Sequence, residues 1–303
     1  MKKVLLTGAT GFIGRHCLPL LIAQGYEVHA VYAKAAGGEH PGLQWHKANL
    51  LDPSQIYMLM EEVLPTHLLH FAWYAIPGKY WTSPENVRWV QASQSLLQNF
   101  VKYGGHRVVM AGTCAEYDWE QGICYENTTP LAPETLYGSC KNTLRESLEA
   151  FSKENDLSNA WGRIFFVYGP GEHPDRLVSS VICSLLRGES ISCSSGHQKR
   201  DFLFVEDVAS AFVALLGSDV KGAVNIGSGV AVSVREVIEA ISEKIWDSDL
   251  IRYGELPVSP NDPHLLVANV RRLREEVRWS GRYNLRQGLD KTIEWWKDRL
   301  KKR

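Results

Sequence analysis

Three glycines spaced three apart, Gly8, Gly11 and Gly14, follow directly on the apolar run Val4-Leu5-Leu6 and constrain this chain more than any other stretch. The first glycine lets the chain turn sharply after a buried strand, and the second lets a pyrophosphate approach the backbone. The third lets the following helix pack close to the sheet, and the N-terminus of that helix offers unpaired N–H groups and a partial positive charge to an anion. The pattern predicts a helix over 12–24 and, after Gly25, a second strand over 26–32. Together these form the βαβ unit that a dinucleotide-binding turn requires.

The rest of the chain keeps alternating apolar strand-like runs with helical patterns, the mark of an α/β fold. Strands are expected over 68–72, 107–111 and 160–167, with helices over 84–103 and 136–155 between them. Past Tyr168-Gly169-Pro170-Gly171 the rhythm breaks into a helix over 178–187, a turn-rich stretch to 198, a strand over 201–205, a helix ending at 216 and a strand over 223–226. A helix over 234–246, a loop carrying Pro257, Pro260 and Pro263, and an amphipathic helix from Leu285 follow. The expected architecture is a Rossmann doubly wound parallel sheet with a smaller C-terminal α/β substrate-binding domain. Residues 1–167 plus about 204–228 make the dinucleotide-binding domain, and 168–203 with 229–303 the substrate-binding domain.

Composition narrows the partners. A net charge of -1 gives no basic face for nucleic acid or an anionic membrane. No apolar run approaches the roughly 20 residues that cross a bilayer, and the first strand begins too early for a signal peptide, so no membrane partner and a cytoplasmic location are expected. Six cysteines without a C-x-x-C pair and ten histidines without H-E-x-x-H indicate neither a disulfide framework nor a metal site.

Of the twelve tyrosines, Tyr137 alone has a lysine four residues on, Lys141. On a helix that spacing puts both side chains on one face, so the ammonium can favour the phenolate and reach a ribose hydroxyl, leaving a tyrosine able to move protons near neutral pH. Thr113 follows the 107–111 strand at the end of the sheet where open α/β folds bind ligands, and its hydroxyl can share a substrate oxygen with Tyr137.

With these residues the chain resembles the extended short-chain dehydrogenase/reductases of the NAD-dependent epimerase/dehydratase group, which act mostly on nucleotide-linked sugars. The likeness runs nearly the whole length: Thr7-Gly8-Ala9-Thr10-Gly11-Phe12-Ile13-Gly14, His70-Phe71-Ala72, Gly112-Thr113 with Tyr117, Tyr137-x-x-x-Lys141, Arg163 leading to Val167-Tyr168-Gly169-Pro170-Gly171, Gln198-x-Arg200-Asp201-Phe202 with Val205-x-Asp207-Val208-Ala209, and Asn225-Ile226-Gly227-Ser228-Gly229. The resemblance implies a catalytic set of Thr113, Tyr137 and Lys141. It implies a cofactor site of Gly8, Thr10, Gly11, Phe12, Ile13, Gly14, Tyr32, Lys34, Asn49, Leu50, Phe71, Ala72, Trp73, Tyr137, Lys141, Phe166 and Val167. For the substrate, a nucleotide-diphosphate sugar, it implies Trp73, Thr113, Cys114, Tyr137, Arg176 and Arg200, the last as a donor fork to the diphosphate. A homodimer through helices 84–103 and 136–155 is the expected assembly.

Departures from the family pattern sharpen the expectation. The second strand ends in Tyr32, followed by Ala33 and Lys34, where NAD-preferring relatives carry an acid that accepts the ribose hydroxyls, so NADP(H) is expected over NAD(H). Asn49 stands where many relatives have aspartate. Thr113-Cys114-Ala115 lacks the acid pair that assists water loss in sugar 4,6-dehydratases, with Glu116 one position further on. Ser259 replaces an arginine often found before the Pro-x-Asp-Pro element. The expected activity is NADPH-dependent reduction of a nucleotide-linked 4-keto(-6-deoxy) sugar. The alternative is a nucleotide-sugar epimerase using bound NAD(P), followed by a 4,6-dehydratase and a non-catalytic NADP(H) sensor.

Overall fold

In the computed structural model, which describes residues 2–245, 248–258 and 262–301, seven parallel strands form the main sheet. Strands β1 (Lys3–Thr7), β2 (Glu27–Tyr32), β3 (Leu43–Lys47), β4 (His67–His70) and β5 (Arg107–Thr113) are joined by Ser158–Ile164 and Gly222–Ile226. Their spatial order is Gly222–Ile226, Ser158–Ile164, β5, β4, β1, β2, β3. The chain order therefore reverses between β1 and β4, and at such a point the strand ends splay and open a crevice for ligand.

Alternation along the strands builds a core on each face of the sheet. Val4 and Leu6 of β1 point to the side covered by Cys17 and Leu21 of α1 (Gly14–Ala23) and by Phe212 of the helix Val205–Gly217. Leu5 points to the other side, packing with Ile56 of α2 (Pro53–Val63), Leu97 of α3 (Glu85–Lys102) and Leu144 of α4 (Leu136–Glu154). All six cysteines are buried.

Two elements of the main sheet and the helices covering it are absent from the sequence reading. Strand β3 is an edge strand whose run Leu43-Gln44-Trp45-His46-Lys47 has no clean alternation, and only pairing with β2 makes it visible. Helix α2 did carry signals: Asp52 caps it by accepting from Ser54 N at 3.0 Å, Pro53 opens it, and Ile56, Leu59, Met60 and Val63 line its buried face. Strand β5 runs two residues past its expected end because Gly112 and Thr113 pair with Arg163 and Ile164. The helix expected over 234–246 is Val234–Ile245, Trp246 lying outside the described residues.

A smaller sheet sets Lys199–Phe204 between Ala231–Ser233 and Leu265–Ala268. Ile123–Cys124 pairs with Leu265–Ala268 on its outer side, and Phe166–Tyr168 also pairs with Lys199–Phe204. Helices Leu177–Leu186, Val234–Ile245 and Leu285–Lys301 enclose its core around Val181, Ile241 and Ile293. Two acids of the Arg-Asp-Phe…Val-x-Asp-Val motif tie this part together. Buried Asp201 accepts from Ser228 N, Ser228 Oγ, Gly229 N and Ala268 N at 2.6–3.1 Å, and Asp207 accepts from Arg282 N and Tyr283 N. These carboxylates satisfy backbone N–H groups of loops that would otherwise be orphaned. Among the described residues, no helix is long and apolar enough to cross a membrane.

Candidate active site

At the C-terminal end of β1 the chain folds into a cradle of bare backbone. Gly8 takes a left-handed φ of 67° and its carbonyl accepts from Gly11 N at 2.9 Å; a Cβ on Gly14 would stand 2.2 Å from that same carbonyl oxygen. Only glycine lets α1 start this close. No side chain caps α1, and a helix start left uncapped at the strand ends fits the pyrophosphate of a dinucleotide. Gly8 also touches the loop after β4, because a Cβ there would meet Ala72 N at 2.8 Å.

A buried chain of hydrogen bonds fixes that loop. Ser93 Oγ donates to Trp89 O at 2.7 Å, so it accepts from His70 Nε2 (2.9 Å); His70 Nδ1 then accepts from Thr7 Oγ1 (2.7 Å), which in turn accepts from Ala72 N (3.3 Å). Burial, and secondarily the Lys141 ammonium, hold His70 down at about 3, so the ring stays neutral and the tautomer is set by its neighbours. Thr10, Phe12, Ile13, Phe71, Ala72 and Trp73 thus gather at the strand ends around the switch point, with Phe166 and Val167 on the adjoining short strand. Tyr32 and exposed Lys34 end β2, with the Trp45 ring edge-on to Tyr32 at 6.1 Å. Asn49 spends its side-chain oxygen on Leu51 N in the turn into α2, and Leu50 is buried in the core beneath it.

Thr113, Tyr137 and Lys141 come together as the spacing anticipates. Thr113 ends β5, where its Oγ1 accepts from Ala115 N at 3.2 Å and leaves its hydrogen for the Tyr137 oxygen. Lys141, one turn along α4 from Tyr137, is buried, and its Nζ donates to Ala111 O at 2.8 Å. The electrostatics differ from the sequence expectation. Burial, then the neighbouring Tyr80, push the Tyr137 phenol up, and the bond from Thr113 is what opposes them. Burial brings Lys141 itself down to about 7 despite the attraction of Glu116. The lysine is directed at the β5 carbonyl, and it is the threonine that favours the phenolate.

Glu116 is sealed off. Its carboxylate accepts from Thr113 N (2.8 Å), Trp161 Nε1 (2.9 Å) and Arg163 Nε (2.7 Å), and it is fully buried. It serves as the inner capping group of the turn Cys114–Glu116 and as the counter-ion of buried Arg163. Cys114 is buried too, and burial raises its thiol, favouring the protonated form. Arg200 departs from the expected diphosphate fork. It is buried, donating to Lys199 O (2.8 Å) and Pro263 O (2.7 Å) and ion-paired with Asp262, with its guanidinium over the Phe166 ring at 5.6 Å. Three of its five N–H donors go to these partners. Ser259 and, in the Pro-x-Asp-Pro element after it, Pro260 and Asn261 lie outside the described residues. Arg176 is exposed ahead of Leu177–Leu186, 5.3 Å from the centroid of Tyr80.

The sequence places Trp81 around the loop after the fourth strand, with Trp73 and Trp89, but does not single out Tyr80 and Trp119, which complete an aromatic wall around Tyr137. Tyr80 and Trp81 meet its ring edge-on at 4.8 and 5.7 Å, Trp81 O accepts from Tyr137 N at 3.1 Å, and Trp119 closes on Trp81 at 6.4 Å. The signal was Asn86, a polar residue on the buried face of α3, whose side chain holds this loop.

Residues 4–227 match the NAD dependent epimerase/dehydratase family. Among solved structures, MoeE5 in complex with UDP-glucuronic acid and NAD is 33% identical, the alignment covering 98% of this chain and 100% of that one with a TM-score of 0.86. UDP-glucose 4-epimerase of Thermus thermophilus in complex with NAD is 25% identical over 97% and 99% of the two chains, TM-score 0.85. UDP-glucuronic acid decarboxylase 1 of Xenopus tropicalis is 26% identical over 99% of this chain and 73% of its own length. A glycine cradle at the sheet's switch point, a threonine and a tyrosine brought together beside it, and sequence likeness from the first strand to the last of the main sheet have one common origin: this chain belongs to the NAD-dependent epimerase/dehydratase family, the extended short-chain dehydrogenase/reductase enzymes of nucleotide sugars.

Proposed function

We propose that the chain is a nucleotide-sugar epimerase, oxidising and re-reducing one secondary hydroxyl of a nucleotide-diphosphate hexose or hexuronate, at C4. The sealing of Glu116 carries this reading. With that carboxylate committed to three donors and Cys114 held as a thiol, no carboxylic acid is free beside Thr113, and Tyr137 is the phenol bonded to it. One phenol serves one hydroxyl; eliminating water needs a second acid at the neighbouring carbons. Thr113 holds the substrate oxygen, Tyr137 takes its proton as the carbonyl forms and returns it afterwards, and Lys141 orients the cofactor ribose. A nicotinamide held at the glycine cradle would supply the hydride acceptor and donor for that carbon. Residues 1–167 with about 204–228 are proposed as the cofactor half, and 168–203 with 229–303 as the sugar half.

A second reading, NADPH-dependent reduction of a 4-keto sugar, is favoured by the end of β2, where Tyr32 and exposed Lys34 stand without a carboxylate to accept ribose hydroxyls. Two measurements separate them. Incubating the protein with UDP-glucose and UDP-glucuronic acid while following the sugar by NMR should show a second saturated nucleotide sugar with no net change in nicotinamide absorbance. Stoichiometric consumption of NADPH by a 4-keto sugar, with none of this interconversion, rejects the epimerase. For the cofactor, titration calorimetry should find NADP(H) bound more tightly than NAD(H), with Lys34→Ala removing about 1.5–3 kcal/mol from the former alone. Equal dissociation constants for both remove the phosphate-binding role of Lys34.

A further inference from the structure

The loop after β4 reaches over the catalytic lysine. Trp73 lays its indole 3.7 Å from Lys141 Nζ, ring centroid to nitrogen, and stacks on its other side against Trp89 at 6.4 Å and 30°. The indole is held by Asn86, fully buried in the first turn of α3: Oδ1 accepts from Trp73 Nε1 at 2.8 Å, while Nδ2 donates to Tyr80 O at 2.7 Å and Ser83 O at 2.9 Å. One amide thus pins both ends of the loop, Trp73 against Lys141 and Tyr80 against Tyr137.

Lys141 has no carboxylate in contact among the described residues. Its ammonium lies between the Ala111 carbonyl and the indole face. The other titratable groups facing it are Glu116 from the Cys114–Glu116 turn, His70 from β4, which is neutral, and Tyr137 on its own helix. A cation over an indole is attracted by the ring, and the same ring excludes water from it.

We propose that Trp73, fixed by Asn86, is a positioning residue that holds the Lys141 ammonium on the Ala111 carbonyl and shields it from water. This rests on the placing of Lys141 in the active site described above. The cover also accounts for why burial, with no carboxylate in contact, brings the lysine to about 7, so that it changes charge in the range where the enzyme would work. Trp73 thereby acts on the chemistry through Lys141.

The test is a pH titration of the whole protein, labelled at lysine Cε and followed by carbon NMR, with Lys141→Gln identifying the resonance. In the parent, Lys141 should titrate near neutrality. Trp73→Ala should move that midpoint up by about one unit or more, since hydration restores the charged form and outweighs the lost ring attraction. Trp73→Phe, which keeps a ring over Nζ, should stay within about half a unit of the parent. Asn86→Ala, which frees the indole without removing it, should move in the same direction as Trp73→Ala, and it replaces that variant if Trp73→Ala does not fold. On a turned-over nucleotide sugar, Trp73→Ala should lower kcat roughly tenfold with KM within about threefold, and Trp73→Phe should restore it. A midpoint unmoved in both Trp73→Ala and Asn86→Ala overturns the proposal. The NMR arm needs no turnover, so a protein inactive on every nucleotide sugar would sink the epimerase reading while leaving this one to be decided.

Discussion

Tyr137→Phe should leave cofactor affinity near that of the parent and cut turnover by roughly 10²–10⁴, the usual worth of one positioned proton donor. The substitution is unusually clean at this site. The phenyl ring keeps its edge-on contacts with Tyr80 and Trp81, and the bond from Tyr137 N to Trp81 O belongs to the backbone. Only the hydroxyl, and with it the hydrogen bond to Thr113, is lost. Glu116 and Cys114 offer no replacement, which leaves the Tyr80 phenol and the Lys141 amine as the titratable groups nearest the lost hydroxyl. NMR rates of sugar interconversion alongside calorimetric cofactor binding check both halves; turnover within a few-fold of the parent would show that another group moves the proton.

Glu116→Gln should destabilise the protein by about 3–5 kcal/mol, as removal of one partner from a buried ion pair does. Three donors converge on two carboxylate oxygens: Thr113 N–H, Trp161 Nε1–H and Arg163 Nε–H. An amide supplies one acceptor and turns a donor of its own toward the others, leaving the Arg163 charge uncompensated in a site it cannot leave. Combining Glu116→Leu with Arg163→Met should recover much of the loss, because replacing both charges with apolar groups removes the desolvated pair altogether. Urea unfolding of the three proteins measures this. A Glu116→Gln variant as stable as the parent but without activity would instead make Glu116 a chemical participant and reopen the route to water elimination.

Local chemistry determined the parts of this protein that the sequence made legible. A glycine turn between an apolar strand and a helix depends on residues close in the chain, as does a tyrosine and lysine one turn apart, so Gly8 to Gly14 and Tyr137 with Lys141 are legible from their neighbours alone. The same holds for the doubly wound order of strands and helices, written in alternating periodicity. Tertiary structure alone decided which charged motif residues are bound into the fold by buried partners. Arg200, Asp201, Asp207 and Glu116 read alike in sequence as candidate site groups or family signatures, yet each is buried among partners that the fold brings to it, Arg200 with Asp262, Asp201 with Ser228 and Ala268, Asp207 with Tyr283, and Glu116 with Arg163. Edge strand β3 became a strand only through β2, and the grip of Asn86 on Trp73 and Tyr80 exists only because the loop folds back on α3. Burial is a property of the whole packed chain, and it is burial that makes these charges depend on partners brought by the fold and that brings the Lys141 amine down to about 7.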